Sequence, residues 1–419
     1  MAAAMLASAL AQTTQAQTIH VGPSGPLTSV RAAIAAAPAG ATIVVAAGIY
    51  RESPIRITKR LTLTGIGGGK GDAILDGEGQ HTVLEIVADS VTVRGLVVRN
   101  TGLSHTEDRA GVRASSVRAC RIEQLRSEDN LFGIYLANVN GCVVIGNRVV
   151  GSNASQTLQG NGIHVWQSDR VELTDNTVTG HRDGIYFEFV THATVRANES
   201  THNARYGMHF MFSDDCRYER NLYRQNGTGV AVMYSHRVVM RENHFEKNWG
   251  SAAYGLLLKD ISDSEIRDNH FRSNSVGLYL EGSNRNEVSG NEFADNGWAL
   301  KLLASAQDNH LTRNAFSGNT FDVATNSRQS FSTFEMNYWD RYRGYDLNHD
   351  GLGDVPFGPV RLFALIVEQS PASLILLHSV LVDALDVVER VLPVLTPANL
   401  VDRRPLMRPP RHDSVAGVR

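Results

Sequence analysis

Three successive runs decide the fold: Gly184-Ile-Tyr-Phe-Glu-Phe, Gly207-Met-His-Phe-Met-Phe and Gly229-Val-Ala-Val-Met-Tyr. In each, a glycine opens a segment whose apolar residues recur at every second position, the period of a β-strand. Working outward, the same run recurs at Gly162, Gly133 and Gly111 on one side and at Gly255 and Gly277 on the other. It fades at Ala299-Leu-Lys-Leu and Asp322-Val-Ala-Thr. Successive spacings are 22, 29, 22, 23, 22, 26, 22, 22 and 23 residues. Asparagine keeps the same beat at 147, 176, 198, 221, 243, 269, 291 and 314.

A unit of about 22 residues is too short for a helical crossover. Its backbone is satisfied if each short strand pairs with its counterpart one coil further on. The chain is therefore expected to be all-β, a right-handed single-stranded parallel β-helix of pectin-lyase-like form. Asn is expected at left-handed corner positions, bonding its neighbours in the stack. The longer units should bulge outward at residues 155–161 and 248–253.

The organisation that follows has five parts. Residues 1–16, small and apolar with Ala9-Leu10-Ala11 as a cleavage-like site, read as the remnant of a secretory signal lacking a basic start. Residues 17–102 read as irregular rungs with a capping helix over 27–37. Residues 103–330 carry the regular repeat, and 331–358 form an aromatic and acidic segment. Residues 359–419 hold amphipathic helices, with Leu374, Leu377, Leu381, Ala384 and Val388 on one face, and a basic flexible tail.

A formal net charge of -3 gives no electrostatic case for nucleic acid or an anionic membrane. No apolar run is long enough to span a bilayer. Cys120, Cys142 and Cys216 share one offset in their rungs. They read as buried core thiols, with a Cys120–Cys142 disulfide geometrically open to adjacent strands.

Alternation leaves two outward columns on the glycine-led strands. One reads Tyr135, His164, Tyr186, His209 and the other Trp166, Glu188, Met211, Met233. Glu188, His209, Met211 and Met233 should converge on one patch, with His164, His236 and Met240 nearby, while Met208 faces the core. Thioether beside imidazole suits Cu(I). The bland alternative is that these side chains only cover apolar surface. Asp346, Asn348, Asp350 and Asp354 resemble half of a calcium loop, but the twelfth position is Phe357 rather than Glu, so a structural turn is the competing reading.

Gly344-Tyr-Asp-Leu-Asn-His-Asp-Gly-Leu-Gly-Asp354, placed directly after the repeats and Asn337-Tyr-Trp-Asp, resembles the signature of the NosD family. The resemblance covers nearly the whole chain. It implies a periplasmic, non-catalytic accessory protein that receives and delivers copper, as Cu(I) held transiently, for maturation of nitrous oxide reductase. The partners it implies are an ABC transporter's permease and ATPase (NosY and NosF), the copper donor lipoprotein NosL and the reductase NosZ, with membrane contact only through the transporter. It assigns no ligands, so the His/Met patch rests on the columns alone. The alternative function is a carbohydrate-binding or carbohydrate-active β-helix, for which Asp214-Asp215 is the adjacent aspartate pair inside the repeat.

Overall fold

The computed structural model describes residues 17–410 except 53, 67–70, 105, 153–158, 251, 328–329, 378, 383 and 386–399. The signal-like segment and Val388 lie outside the described residues. The chain coils as a right-handed parallel β-solenoid of about 13 turns. Its strands stack into three sheets of 14, 12 and 13 strands. The glycine-led strands build the 12-stranded sheet, and each register step joins one rung to the next, as in Ile185 to Met208 to Val230.

The landmark glycine marks a close approach. A Cβ on Gly184 would stand 2.0 Å from Ser200 Oγ and 2.6 Å from the carbonyl oxygen of Gly207. Any larger residue would push adjacent rungs apart at this point.

The asparagine beat has a different cause from the one expected. None of the eight landmark asparagines has positive φ; the residue before each does in most rungs, for example Asp175, Ala197, Arg220 and Glu242. The asparagines instead point into the coil. Each Nδ2 donates to the Oδ1 of the next, from Asn147 through Asn314 to Asn337, at 2.8–3.0 Å. An amide donates and accepts at once, so one residue type can propagate such a ladder without leaving a buried polar group unpaired. Beside the ladder, Phe245, Phe271, Phe293, Phe316 and Trp339 stack with ring centroids 4.2–4.8 Å apart.

The N-terminal end is closed by α1 (Val30–Ala36), capped by Ser29 accepting from the Ala32 amide. The C-terminal end departs from expectation. Residues 400–407 are no flexible tail: Asp402 and Leu406 bridge to Phe334 and Tyr338 as a further partial rung. Asp402, fully buried, accepts from the Asn337 amide at 2.8 Å, Asn337 Nδ2 at 3.1 Å and Trp339 Nε1 at 3.2 Å. It takes the place of the next asparagine and ends the ladder on an acceptor.

Other corrections are local. Cys120 and Cys142 form a disulfide between adjacent rungs, with Cα atoms 4.5 Å apart, so they are not free core thiols; Cys216 is buried and free. Of the first predicted bulge, residues 155–158 lie outside the described set. Gln159 turns inward, donating to the Gly180 carbonyl at 3.1 Å. The helix α2 (Leu362–Gln369) stops at Ser370, and Pro371–Leu376 continues as 3-10 helix. Proline lacks the N–H that α2 needs to continue and forces its predecessor out of helical geometry.

Candidate functional site

The middle rungs of the 12-stranded sheet carry the predicted columns in register. Tyr135, His164, Tyr186 and His209 are successive Cα partners, as are Trp166, Glu188, Met211 and Met233. Adjacent members stand ~4.8 Å apart, so the two thioethers on neighbouring rungs can reach a common point. Glu188, Met211 and Met233 are half-buried, and Met208 is core, accepting from the Tyr223 hydroxyl at 3.3 Å.

His209 is the unusual member. It is only 6% exposed, and neither ring nitrogen has a hydrogen-bond partner among the described residues. Tyr186 meets its ring edge-on at 5.2 Å and Tyr206 lies at 4.7 Å. Behind it Asp183, fully buried, is held by Arg205 through Nε at 2.8 Å and a second, shorter contact from the other guanidinium nitrogen. Burial pushes the Asp183 carboxyl up, but the hydrogen bonds from Arg205 and the charges of Arg205 and Arg182 outweigh it and hold the group below its ordinary value. His209 Nδ1 lies 3.9 Å from that carboxylate. Burial, with the charges of Glu188 and Asp183, pushes the Tyr186 phenol up to about 12.

His164 adjoins this group but is sandwiched between two rings. Its ring is stacked between Tyr135 at 4.5 Å and Tyr186 at 4.7 Å, and Nδ1 accepts from Asn161 Nδ2 at 3.0 Å. Burial, reinforced by Arg182, pulls its pKa down to about 4. Two expected neighbours are not there. Met240 is a core residue, 2% exposed, because it falls on an inward position of the 14-stranded sheet. His236 sits past the corner after Met233, exposed and bonded to Asp214 at 3.1 Å. Asp183, Arg205 and Tyr206 escaped the sequence reading. Their one signal was an acid immediately before a landmark glycine, where neighbouring rungs carry Tyr206 and Thr228.

The acidic loop is a closed turn. Asp346 accepts from the Gly351 amide at 2.9 Å, Asn348 from Asp350 N at 3.1 Å, Asp350 from Leu352 N at 2.8 Å and Asp354 from Leu347 N at 2.7 Å. Its glycines have an architectural reason: a Cβ on Gly344 or Gly353 would strike the Tyr342 hydroxyl, at 1.9 or 2.1 Å. Among the described residues no three His, Cys, Asp or Glu side chains converge as metal ligands.

Leu377 packs against the cluster of Phe363 and Val367 that seats α2 on the solenoid. Leu374, Leu381 and Ala384 are exposed, and with Ile375 (89% exposed) and Val380 (83%) they leave an uncovered apolar surface. Among the described residues no helix is long and apolar enough to cross a membrane.

Fold and site together define a parallel β-helix protein with a thioether and imidazole patch on one outer face. Residues 149–345 match the family model described as "Periplasmic copper-binding protein (NosD)". The chain is 32% identical over 359 residues to a probable ABC transporter binding protein NosD of Pseudomonas aeruginosa, covering 81% of this chain and 82% of that one. A protein of the same description from Stutzerimonas stutzeri is 28% identical, covering 81% of each. The chain belongs to the NosD family. A family 28 exopolygalacturonase of Yersinia enterocolitica shares the fold with a TM-score of 0.57 at 10% identity, over 77% of this chain and 78% of that one.

Proposed function

We propose that this chain is a non-catalytic periplasmic accessory protein that receives Cu(I) at Met211, Met233 and His209 and hands it on during maturation of nitrous oxide reductase. The observation that carries the reading is His209, a buried imidazole with both nitrogens free beside two thioethers stacked on successive rungs. Neutral sulfur and nitrogen donors suit Cu(I), and Glu188, the Cα partner of Met211, supplies a negative charge beside the ion. The Asp183–Arg205 pair fixes the imidazole from behind, the usual role of a group one step removed from a metal ligand. Half-exposed thioethers bind the cargo where a partner can reach it. The family description and the transporter-binding names of the relatives support the setting.

In this reading NosL donates the ion, NosZ receives it, and NosY meets the exposed surface of Leu374, Ile375, Val380 and Leu381, with NosF behind it as the ATPase. The acidic loop is not part of this reading; its side chains close a turn on its own amides. Catalysis on polysaccharide is disfavoured. Asp214 bonds His236, and Asp215 is paired with Arg237 at 2.7 and 2.8 Å, which holds its carboxyl below the ordinary value. Asp215, so paired, is not poised as a proton donor.

Anaerobic Cu(I) competition titration tests the assignment. The triple variant H209A/M211A/M233A is expected to bind at least about a hundredfold more weakly than the unmodified protein, as loss of three donors requires. Equal affinity would refute the site.

A further inference from the structure

The last strand of the 12-stranded sheet, Phe321–Ala324, breaks the rule that governs the strands before it. Its register puts Asp322 in the place held by Ala299 and Gly277 in the preceding rungs. At that place a Cβ runs into the carbonyl oxygen of the next rung, 2.6 Å away at Gly277 and 2.7 Å at Gly255. Among the described residues this sheet has no strand beyond Phe321–Ala324, so the obstacle is gone and a carboxyl fits. What meets it is the stretch by which the chain leaves the solenoid. Asp340 and Arg341 follow Trp339 directly, Val360 bridges to Val323, and Arg361 stands at the N-cap of α2.

Three polar atoms of this junction are buried without a partner among the described residues: Asp322 Oδ1, Asp340 Oδ1 and Arg341 Nη1. Their neighbours on the same side chains are engaged. Asp340 Oδ2 accepts from the Gly318 amide at 2.7 Å, and Arg341 Nη2 donates to the carbonyls of Asn319 at 2.9 Å and Thr320 at 3.3 Å. Asp322 itself is only 3% exposed. An ionised carboxyl with a bare buried oxygen is costly there, whereas the protonated acid is neutral and carries a donor of its own. The charges that act on it are Arg341 and Arg361, which favour ionisation, and Asp340, which opposes it. Lys301 in the rung before is committed to Glu368 of α2 at 2.7 Å. Burial, with Asp340, outweighs the two guanidiniums and pushes the Asp322 carboxyl up to about 6. The strand that carries it also seats α2: Phe321, stacked on Trp298 at 4.1 Å, meets Phe363 at 6.0 Å.

We propose that Asp322 is a proton-dependent latch for α2, holding the helix down on the solenoid as the neutral acid and loosening it as the carboxylate. Lifting α2 admits water to the carboxyl and restores its ordinary acidity, so ionisation and opening favour each other. The sign follows from the raised value in the closed state. The latch is full below pH 3.8 and is lost as pH rises through about 6. The helix α2 runs on into Pro371–Leu376, which bears Leu374 and Ile375 of the uncovered apolar surface. The latch therefore sets how freely that surface can move to meet whatever covers it.

Hydrogen exchange of the α2 amides, followed by mass spectrometry on the full chain and corrected for intrinsic rates, tests the latch. Opening of α2 should be about tenfold more frequent at pH 7.5 than at pH 5, as a carboxyl at 3.8 when open and about 6 when closed requires. Asp322→Asn should hold the helix near the wild-type pH 5 level at both pH values. Asp340→Asn removes the charge that opposes ionisation and should move the midpoint to lower pH. Equal wild-type opening at the two pH values, more opening at pH 5, or a pH dependence that survives Asp322→Asn would each overturn the proposal. So would a midpoint unmoved by Asp340→Asn. No copper or partner is present in the experiment, so its outcome is independent of the copper assignment.

Discussion

Replacing Asp402 with alanine is expected to destabilise the chain by about 3–5 kcal/mol, although the residue lies far from the repeats in sequence. Its carboxylate accepts from the amides of Met336 and Asn337, from Asn337 Nδ2 and from Trp339 Nε1. Truncation strands these donors, and a buried unsatisfied donor costs about 1–3 kcal/mol. Asn337 Nδ2 retains the Leu311 carbonyl at 2.8 Å, which keeps the total below the simple sum. Asp402→Asn should recover much of the loss, since asparagine fills the same place in the rungs below. Urea unfolding of the three proteins decides this: a loss under about 1 kcal/mol for the alanine variant would mean that residues 400–407 do not cap the solenoid.

The second large effect is with pH. His181 is buried and His164 is partly buried between two tyrosine rings, and this desolvation lowers each pKa from 6.5 to about 4; the charge of Arg182 adds to the effect at His164. Both rings are neutral in the folded protein, whereas the unfolded chain takes up protons below pH 6.5. Their stabilising contribution is therefore complete above pH 6.5 and is lost as pH falls from 6.5 towards 4, by about 3 kcal/mol for each. His164→Phe keeps the stack between Tyr135 and Tyr186 and removes one titrating group. Urea midpoints at pH 7.5 and 4.5 should show about half the acid loss in that variant; an unchanged loss would contradict the burial of His164 in its neutral form.

Much of the fold was legible because a stacked repeat writes its geometry into spacing. One glycine every 22 or so residues fixed the rungs, and alternation placed Met208 inside and Met211 outside. What the spacing could not tell was why a residue recurs. Asparagine suits a left-handed corner and a buried ladder equally well as a residue type. Only the structure shows that the corner falls one residue earlier, on Asp175 or Arg220, and that the amide points inward. Closeness in sequence likewise put Met240 near the patch, whereas it lies past the corner on an inward position of the 14-stranded sheet.

The site was half legible. Column register brought His209, Met211 and Met233 together, since neighbours in a column follow from strand period alone. Asp183, Arg205 and Tyr206 depend on side-chain direction at the strand entrance, which no periodicity encodes. The capping role of Asp402 was illegible for a related reason, because its partner Asn337 is 65 residues away and nothing in a single repeat points to it. The signature around Asp346–Asp354 stays ambiguous in sequence because a tight turn and a calcium loop use the same oxygen-bearing residues; the structure shows those oxygens accepting from the loop's own amides.

The copper assignment is tested most directly by anomalous scattering at the copper edge from crystals soaked with Cu(I) under reducing conditions. The account predicts a strong peak within bonding distance of both Met211 Sδ and Met233 Sδ, with His209 turned towards it. Copper bound instead at His236 or the Asp346–Asp354 loop, with that position empty, would contradict it.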